Sequence, residues 1–462
     1  MTSIIILVFV VGYFCIALES LTKVNKAGIA LLMSVLCWGV YMLNAGEYAG
    51  IFYPRQFADY LQNGGTSSMG FIAEHVFSSH VAETCETILF LMGAMTIVEV
   101  VDSNGGFNFM THRLKTDNPK LLLWKTLFIT FFLSALLDNM TTAIVMVMVL
   151  KKLVPDRNMR MLYAGVVVLA ANAGGAFSPI GDVTTIMLWI KGSVSTTGII
   201  TSLFIPSLVS VIVPTLLLMP MFKGSLKTET PISALGTTGV NSPFTRKSRI
   251  AIFLIGVLGL VLVPVFRSIT GLPPFVGVMG VLAILWITTE LMFRFNKHIK
   301  NVHNKVRVSN IIKKIDMATI LFFLGILLTV SALQETGTLN SFGLWLNNTF
   351  GNVYIVNTLI GVMSSIVDNV PLVASAMGMY AIEPEGTIGA MQAYCQDGVF
   401  WQLLAYCAGT GGSMLIIGSA AGVVVMGLEN ISFGWYLKRF SLIAFLGYVS
   451  GIIAYWLQGL LF

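Results

Sequence analysis

Residues 120–152 read KLLLWKTLFITFFLSALLDNMTTAIVMVMVLKK. Lysines close both ends, and inside them lies an apolar stretch whose only charges are Lys125 and Asp138. A single membrane-crossing helix takes about 20 apolar residues, so residues 121–150 are too long for one crossing and too short for two full ones. Cytoplasmic loops of membrane proteins collect Lys and Arg. With basic flanks at both ends, 121–150 is predicted to enter and leave on that one side. It reads as a re-entrant helical hairpin, or a pair of helices with one short member, with its turn at Asp138-Asn139.

The same phrase returns later in the chain. LLDNMTTAIVMVM (136–148) matches IVDNVPLVASAMG (366–378) at an offset of 230. The segment around the second copy, 353–381, has no basic flanks and reads as a hairpin from the opposite side, turning at Asp368-Asn369. TILFLMG (87–93) matches TILFFLG (319–325), and NAGGAFSPIGD (172–182) matches GTGGSMLIIGS (409–419). Each half therefore holds a span, a hairpin, and a helix interrupted by glycines, the broken helices falling at 161–190 and 399–428. Charge directs the span 84–101 inward and the span 316–335 outward, so the halves have opposite topology. Inverted repeats with broken helices at matching places are a pattern of secondary transporters, with substrate held where the halves meet.

Composition agrees. Of 462 residues, 56% are hydrophobic and 10% charged, with a mean hydropathy of +0.85. A soluble domain carries roughly 25% charged residues, and 27 Lys and Arg with 21 Asp and Glu cannot cover a water-exposed globule of this size. That excludes a soluble enzyme, a disordered chain and, despite a net charge of +6, a nucleic-acid binder. The long apolar runs also exclude the short alternating strands of a membrane barrel. Of the 27 bases, 23 fall in one set of loops, so the surplus positive charge marks orientation.

The sequence thus predicts an all-α polytopic membrane protein with two inverted-topology repeats, each with a re-entrant hairpin and a broken transmembrane helix. Its expected parts are N-terminal spans with an outer loop (1–64), a first repeat (65–221), a cytoplasmic linker (222–249) and a second repeat (250–462). The N-terminus reads as a span rather than a cleaved signal. Five scattered cysteines imply neither a disulfide framework nor a metal cluster. Membrane lipid is the expected surrounding, and no cofactor is implied.

Asp138, Asp182 and Asp368 lie inside otherwise apolar segments. A charge near the bilayer centre costs about 2.5–3.5 kcal/mol on insertion scales. No base in these segments offers a partner; Lys125 stands 13 residues before Asp138. A dry carboxylate without a fixed cationic partner holds a proton or binds a metal cation, because burial disfavours the charged form and a bound cation favours it. A proton-coupled cation carrier needs that property. Asn139, Thr141, Thr142 and Asn369 supply neutral oxygens, and the breaks at Gly174-Gly175 and Gly411-Gly412 can present backbone carbonyls. Oxygen ligands of this kind suit sodium or lithium. The competing reading is that Asp-Asn merely caps a helix at a turn. Recurrence at matched positions and at membrane depth weighs against capping alone. Pro371 and Leu372 replace Thr141 and Thr142 in the second copy, so two equal cation sites are not expected.

LLDNMTTAIVM, AANAGGAFSPIGDVTTIMLW, IVDNVPL and GTGGSMLIIGSAAG, in that order, resemble the motifs of NhaD-type sodium/proton antiporters of the ion transporter superfamily. The resemblance runs from about residue 65 to the C-terminus. It implies exchange of sodium or lithium for protons across the bacterial cytoplasmic (inner) membrane. It also implies a homodimer whose hairpin-bearing part moves against a scaffold. Carried over residue by residue, Asp138, Asn139, Thr141 and Thr142 match the first hairpin motif, and Asp368 and Asn369 the second. Ser178, Pro179, Gly181 and Asp182 match the first broken helix, and Gly411, Gly412 and Ser413 the second. Relatives that carry di- and tricarboxylates place Ser-Asn-Thr type sequences where this chain has Asp-Asn. A carboxylate symporter or arsenite exporter on the same architecture is the alternative, and aspartates at both tips argue against it. An intramembrane aspartyl protease would carry GxGD, which Pro179-Ile180-Gly181-Asp182 does not meet.

Other polar groups rank lower. His75, His80, Glu83 and Glu86 fit no standard zinc spacing and read instead as a pH-responsive outer mouth. Glu99 and Asp102 read equally as interfacial carboxylates and as part of a proton path. Glu19 and Glu290 read as interfacial, and the bases at 294–314 as a positive-inside anchor.

Overall fold

The computed structural model describes residues 1–17, 24–106, 114–224, 226, 244–295, 307–366 and 368–461. Glu19, Arg113, most of the expected linker and residues 296–306 of the basic cluster lie outside the described residues. All regular structure among the described residues is helical, apart from an isolated bridge between Glu383 and Cys395.

The helices begin with α1 (Thr2–Ala17), α2 (Lys26–Leu43), α3 (Ala45–Phe52), α4 (Pro54–Gln62) and α5 (Ser78–Ser103). Then come α6 (Pro119–Ser134), α7 (Asn139–Leu153), α8 (Arg157–Ala176), α9 (Val183–Lys191) and α10 (Thr196–Leu218). They continue with α11 (Arg246–Thr270), α12 (Pro274–Phe295), α13 (Met317–Glu335), α14 (Thr338–Phe350) and α15 (Val353–Ser364). The last are α16 (Asn369–Met379), α17 (Val399–Gly411), α18 (Ala420–Glu429) and α19 (Leu442–Leu461). Among the described residues, eight helical stretches are long and apolar enough to cross a bilayer. The chain is an all-α multi-pass membrane protein. Residues 45–62, which the sequence suggests as loop, are helical in α3 and α4.

The chain forms two units. One comprises Met1–Leu91, Asp316–Val356 and Val370–Ile382. In it α2 lies along α13 so closely that a Cβ on Gly325 would strike the backbone of Ala30 and Leu31. Trp38 Nε1 donates to the Leu328 carbonyl across that contact at 2.8 Å.

The other unit comprises Met92–Ile315, Asn357–Asn369 and Glu383–Phe462. Its centre is α8, buried without interruption from Met161 to Ala176. A helix apolar on every side belongs in an interior, and α8 packs against α6, α7, α10, α17 and α18. Asn118 caps α6, accepting from the Lys120 and Leu121 amides, and Pro119 follows at the first helical position. The chain breaks after Ser134 and again after Ala176; α7 and α9 resume beyond each break.

Contacts at the breaks recur in the two halves. Ser134 Oγ donates to the Ala171 carbonyl at 2.6 Å, and Ser364 Oγ to the Ala408 carbonyl at 2.8 Å. A Cβ on Gly174 would strike the Phe131 carbonyl, and one on Gly411 the Gly361 carbonyl. A Cβ on Gly175 would come within 2.6 Å of the Gly181 oxygen, as one on Gly412 would of the Gly418 oxygen. Glycine is required here for close approach of backbone to backbone.

Candidate functional site

Asp138 stands in extended backbone at the head of α7. Its Oδ1 accepts from the Thr141 amide at 2.7 Å and its Oδ2 from the Thr141 hydroxyl at 2.5 Å. Asp182 is the cap of α9 and is buried. Its Oδ1 accepts from the Thr184 amide at 3.2 Å, while its own amide donates to Thr185 Oγ1 at 3.3 Å. Both aspartates therefore cap helices, and for Asp138 this is what the competing reading requires. Capping does not exhaust what Asp182 does.

Asp182 Oδ2 accepts from Asn139 Nδ2 at 2.8 Å and from Asn369 Nδ2 at 3.3 Å. The asparagines of the two Asp-Asn pairs thus meet on one carboxylate. The carboxylates of Asp368 and Asp138 lie within electrostatic range of Asp182. Asp138 and Asp368 thus act on Asp182 through space, although among the described residues no three acids stand close enough to hold one ion together; neither Asp138 nor Asp182 forms an ion pair among the described residues. Lys125 turns away, its Nζ donating to the Lys115 carbonyl at 3.4 Å.

The polar chain continues through Asn172, a fully buried residue of α8. Its Oδ1 accepts from Asn139 Nδ2 at 3.1 Å. Its Nδ2 donates to Ser413 Oγ at 2.9 Å and to Ser419 Oγ at 2.8 Å. Ser419 caps α18 through the Gly422 amide. Asn139 and Asn369 both turn their amide nitrogens to Asp182. The buried Thr142 hydroxyl has no hydrogen-bond partner among the described residues. Carboxylates beside neutral oxygens are the kind of donor a small hard cation takes. The halves contribute unequally, since Ser419 stands where the first broken helix has Asp182.

Asn172 and Ser419 are not singled out by sequence reasoning. They are the first and last polar letters of the matched stretches 172–182 and 409–419, and that was the available signal. The other expected groupings are redistributed. His80 and its neighbours do not form one cluster: His80 Nε2 meets Glu335 Oε1 at 2.7 Å, and Tyr53 Oη donates to Glu335 Oε2 at 2.5 Å. His75 instead packs its ring against Tyr60 and Phe71. Glu99 pairs with Lys314 at 3.4 Å and accepts from Ser103 Oγ.

Residues 13–394 match the CitMHS family, described as citrate transporter. Sodium/proton antiporter 1 of Arabidopsis thaliana is 43% identical over 449 residues, covering 97% of this chain and 71% of the relative. Sodium/proton antiporter 2 of the same plant is 39% identical, covering 97% of this chain and 98% of the relative. The Na(+)/H(+) antiporter NhaD of Vibrio cholerae is 30% identical, covering 97% and 90% respectively. With its helices, its glycine breaks and its matches along nearly the whole length, the chain belongs to the CitMHS family of transporters and, within it, to the NhaD type.

Proposed function

We propose that this protein exchanges sodium or lithium for protons across the membrane, with proton and cation alternating at the carboxylates of Asp138, Asp182 and Asp368. The observation that carries the reading is the meeting of Asn139 and Asn369 on the Asp182 carboxylate, with Asp138 and Asp368 in electrostatic range and no ion pair on Asp138 or Asp182 among the described residues. The work is transport, without a covalent step or a resident cofactor; cation and proton are the substrates. Asn139, Thr141, Thr142, Asn369 and Ser413 serve as neutral oxygen ligands. Gly174, Gly175, Gly181, Gly411 and Gly412 let the two broken helices approach the hairpins and present carbonyls.

The family description names citrate, but a tricarboxylate entering a site of three carboxylates meets repulsion from each. An anionic substrate calls for neutral donors and helix N-termini without acids on them. The names of the plant and bacterial relatives support the cation reading. The reading includes inverted repeats at 65–221 and 250–462 joined by a linker at 222–249, a homodimer, and residence in a bacterial cytoplasmic membrane with the basic loops inside.

Everted membrane vesicles holding the protein test the function directly. After respiration builds a proton gradient, sodium or lithium added at alkaline pH should collapse it, read as dequenching of an acid-accumulating dye. An unchanged gradient with both cations refutes the proposal.

A further inference from the structure

Away from the three aspartates lies a second buried carboxylate, on the distal half of the second broken helix. Glu429 ends α18 and is 2% exposed. Arg160 Nε donates to its Oε2 at 2.8 Å, and Lys151 Nζ stands 3.8 Å from its Oε1. Arg160 is itself fixed, with Nη1 donating to the carbonyls of Val154 at 3.0 Å and Pro155 at 3.2 Å. The helix end is held further by Lys151 Nζ on the Leu428 carbonyl at 2.8 Å and Arg157 Nη2 on the Asn430 carbonyl at 3.1 Å. Cations at a helix C-terminus meet the negative end of its dipole.

The ion pair and two polar groups linked to the candidate cation site, Asn172 and Ser419, sit on the same two helices. Arg160 lies near the start of α8 and Asn172 near its end. Arg160 grips the C-terminus of α18 through Glu429; Asn172 grips its N-terminal cap through Ser419. On α8 the grips are 12 residues apart, and on α18 they are 10 apart. At 1.5 Å rise per residue these are lengths of about 18 and 15 Å, so two antiparallel helices are fastened at both ends. One fastening would allow α18 to slide or turn along α8; two fix its axial register. Glu429 is buried and Arg160 half-buried, so loss of Arg160 leaves the carboxylate with Lys151 at 3.8 Å as its remaining cation.

We propose that Arg160 and Glu429 are positioning residues: their ion pair sets the register of α18 on α8 so that Ser419 meets Asn172 beside the candidate cation site. The inference rests on the proposed exchange for its functional consequence, and on geometry alone for its structural one. The two are separable by experiment.

In Glu429→Gln the charge is lost at nearly constant shape. The half-saturating sodium concentration in the vesicle assay should rise at least fivefold while the maximal rate stays within twofold of wild type. Hydrogen–deuterium exchange on the purified protein should show faster exchange at residues 420–423, the far end of α18, as well as near 429. Wild-type half-saturation, or faster exchange confined to residues 427–431, overturns the inference. If wild type itself shows no sodium-driven signal, the proposed function fails and the deuterium result alone decides the register. If Glu429→Gln does not reach the membrane, Glu429→Asp decides. It keeps the charge on a shorter arm and should also free residues 420–423; wild-type protection and half-saturation there overturn the inference.

Discussion

Asp182 shows how one side chain can serve a fold and a site together. One oxygen caps α9 through the Thr184 amide, and the other collects the amides of Asn139 and Asn369. Asparagine caps a helix about as well as aspartate. Asp182→Asn should therefore fold and reach the membrane at wild-type levels, yet lose sodium-dependent exchange to the level of vesicles without the protein. Wild-type exchange in that variant would reduce Asp182 to a cap. The aspartates were legible in the sequence because a charge in an apolar run is costly wherever it falls. Asn172 was not, because a neutral amide in an apolar helix draws attention only through its partners, and Ser413 and Ser419 lie more than 240 residues away.

At the scale of elements, the hairpins and broken helices meet through glycines. Gly174 and Gly411 face carbonyls of Phe131 and Gly361 with no room for a methyl group, whereas Gly427 on α18 has open space around it. Overpacking of this kind costs about 1–3 kcal/mol. Gly174→Ala and Gly411→Ala should each lower the thermal unfolding midpoint in detergent, and Gly427→Ala should not. Equal midpoints for the three would mean that these contacts relax freely. Sequence matches located the breaks, since glycines and Asp-Asn interrupt apolar runs. They did not show that Ser134 and Ser364 tie their hairpin arms to Ala171 and Ala408, because serine in a helix commonly bonds within its own turn. The regrouping of His80 with Glu335 is of the same kind: the nearby acids Glu83 and Glu86 were visible, the distant one was not.

For the whole molecule, one competition governs how proton and cation share the acids. On the proposed exchange, the carboxylates are free for sodium at high pH; as pH falls, protons occupy them and more sodium is needed to displace each one. Below the carboxylates' titration range, half-saturating sodium should rise about tenfold per pH unit for each proton displaced, and level off above it. A half-saturation independent of pH would break the link between proton and cation. By itself the sequence determined the membrane residence, the helical class, the matched helix breaks, and the acids inside apolar runs. Those follow from composition, from period and from the preference of bases for one side of a membrane, all of which are local or additive along the chain. Only the tertiary structure decided that both Asp-Asn pairs turn their asparagines to Asp182, that Asn172 links them to Ser413 and Ser419, and that Arg160 finds Glu429. Hydrogen bonds are directional and act over about 3 Å, so their partners are set by how distant segments pack, which no spacing in the sequence records.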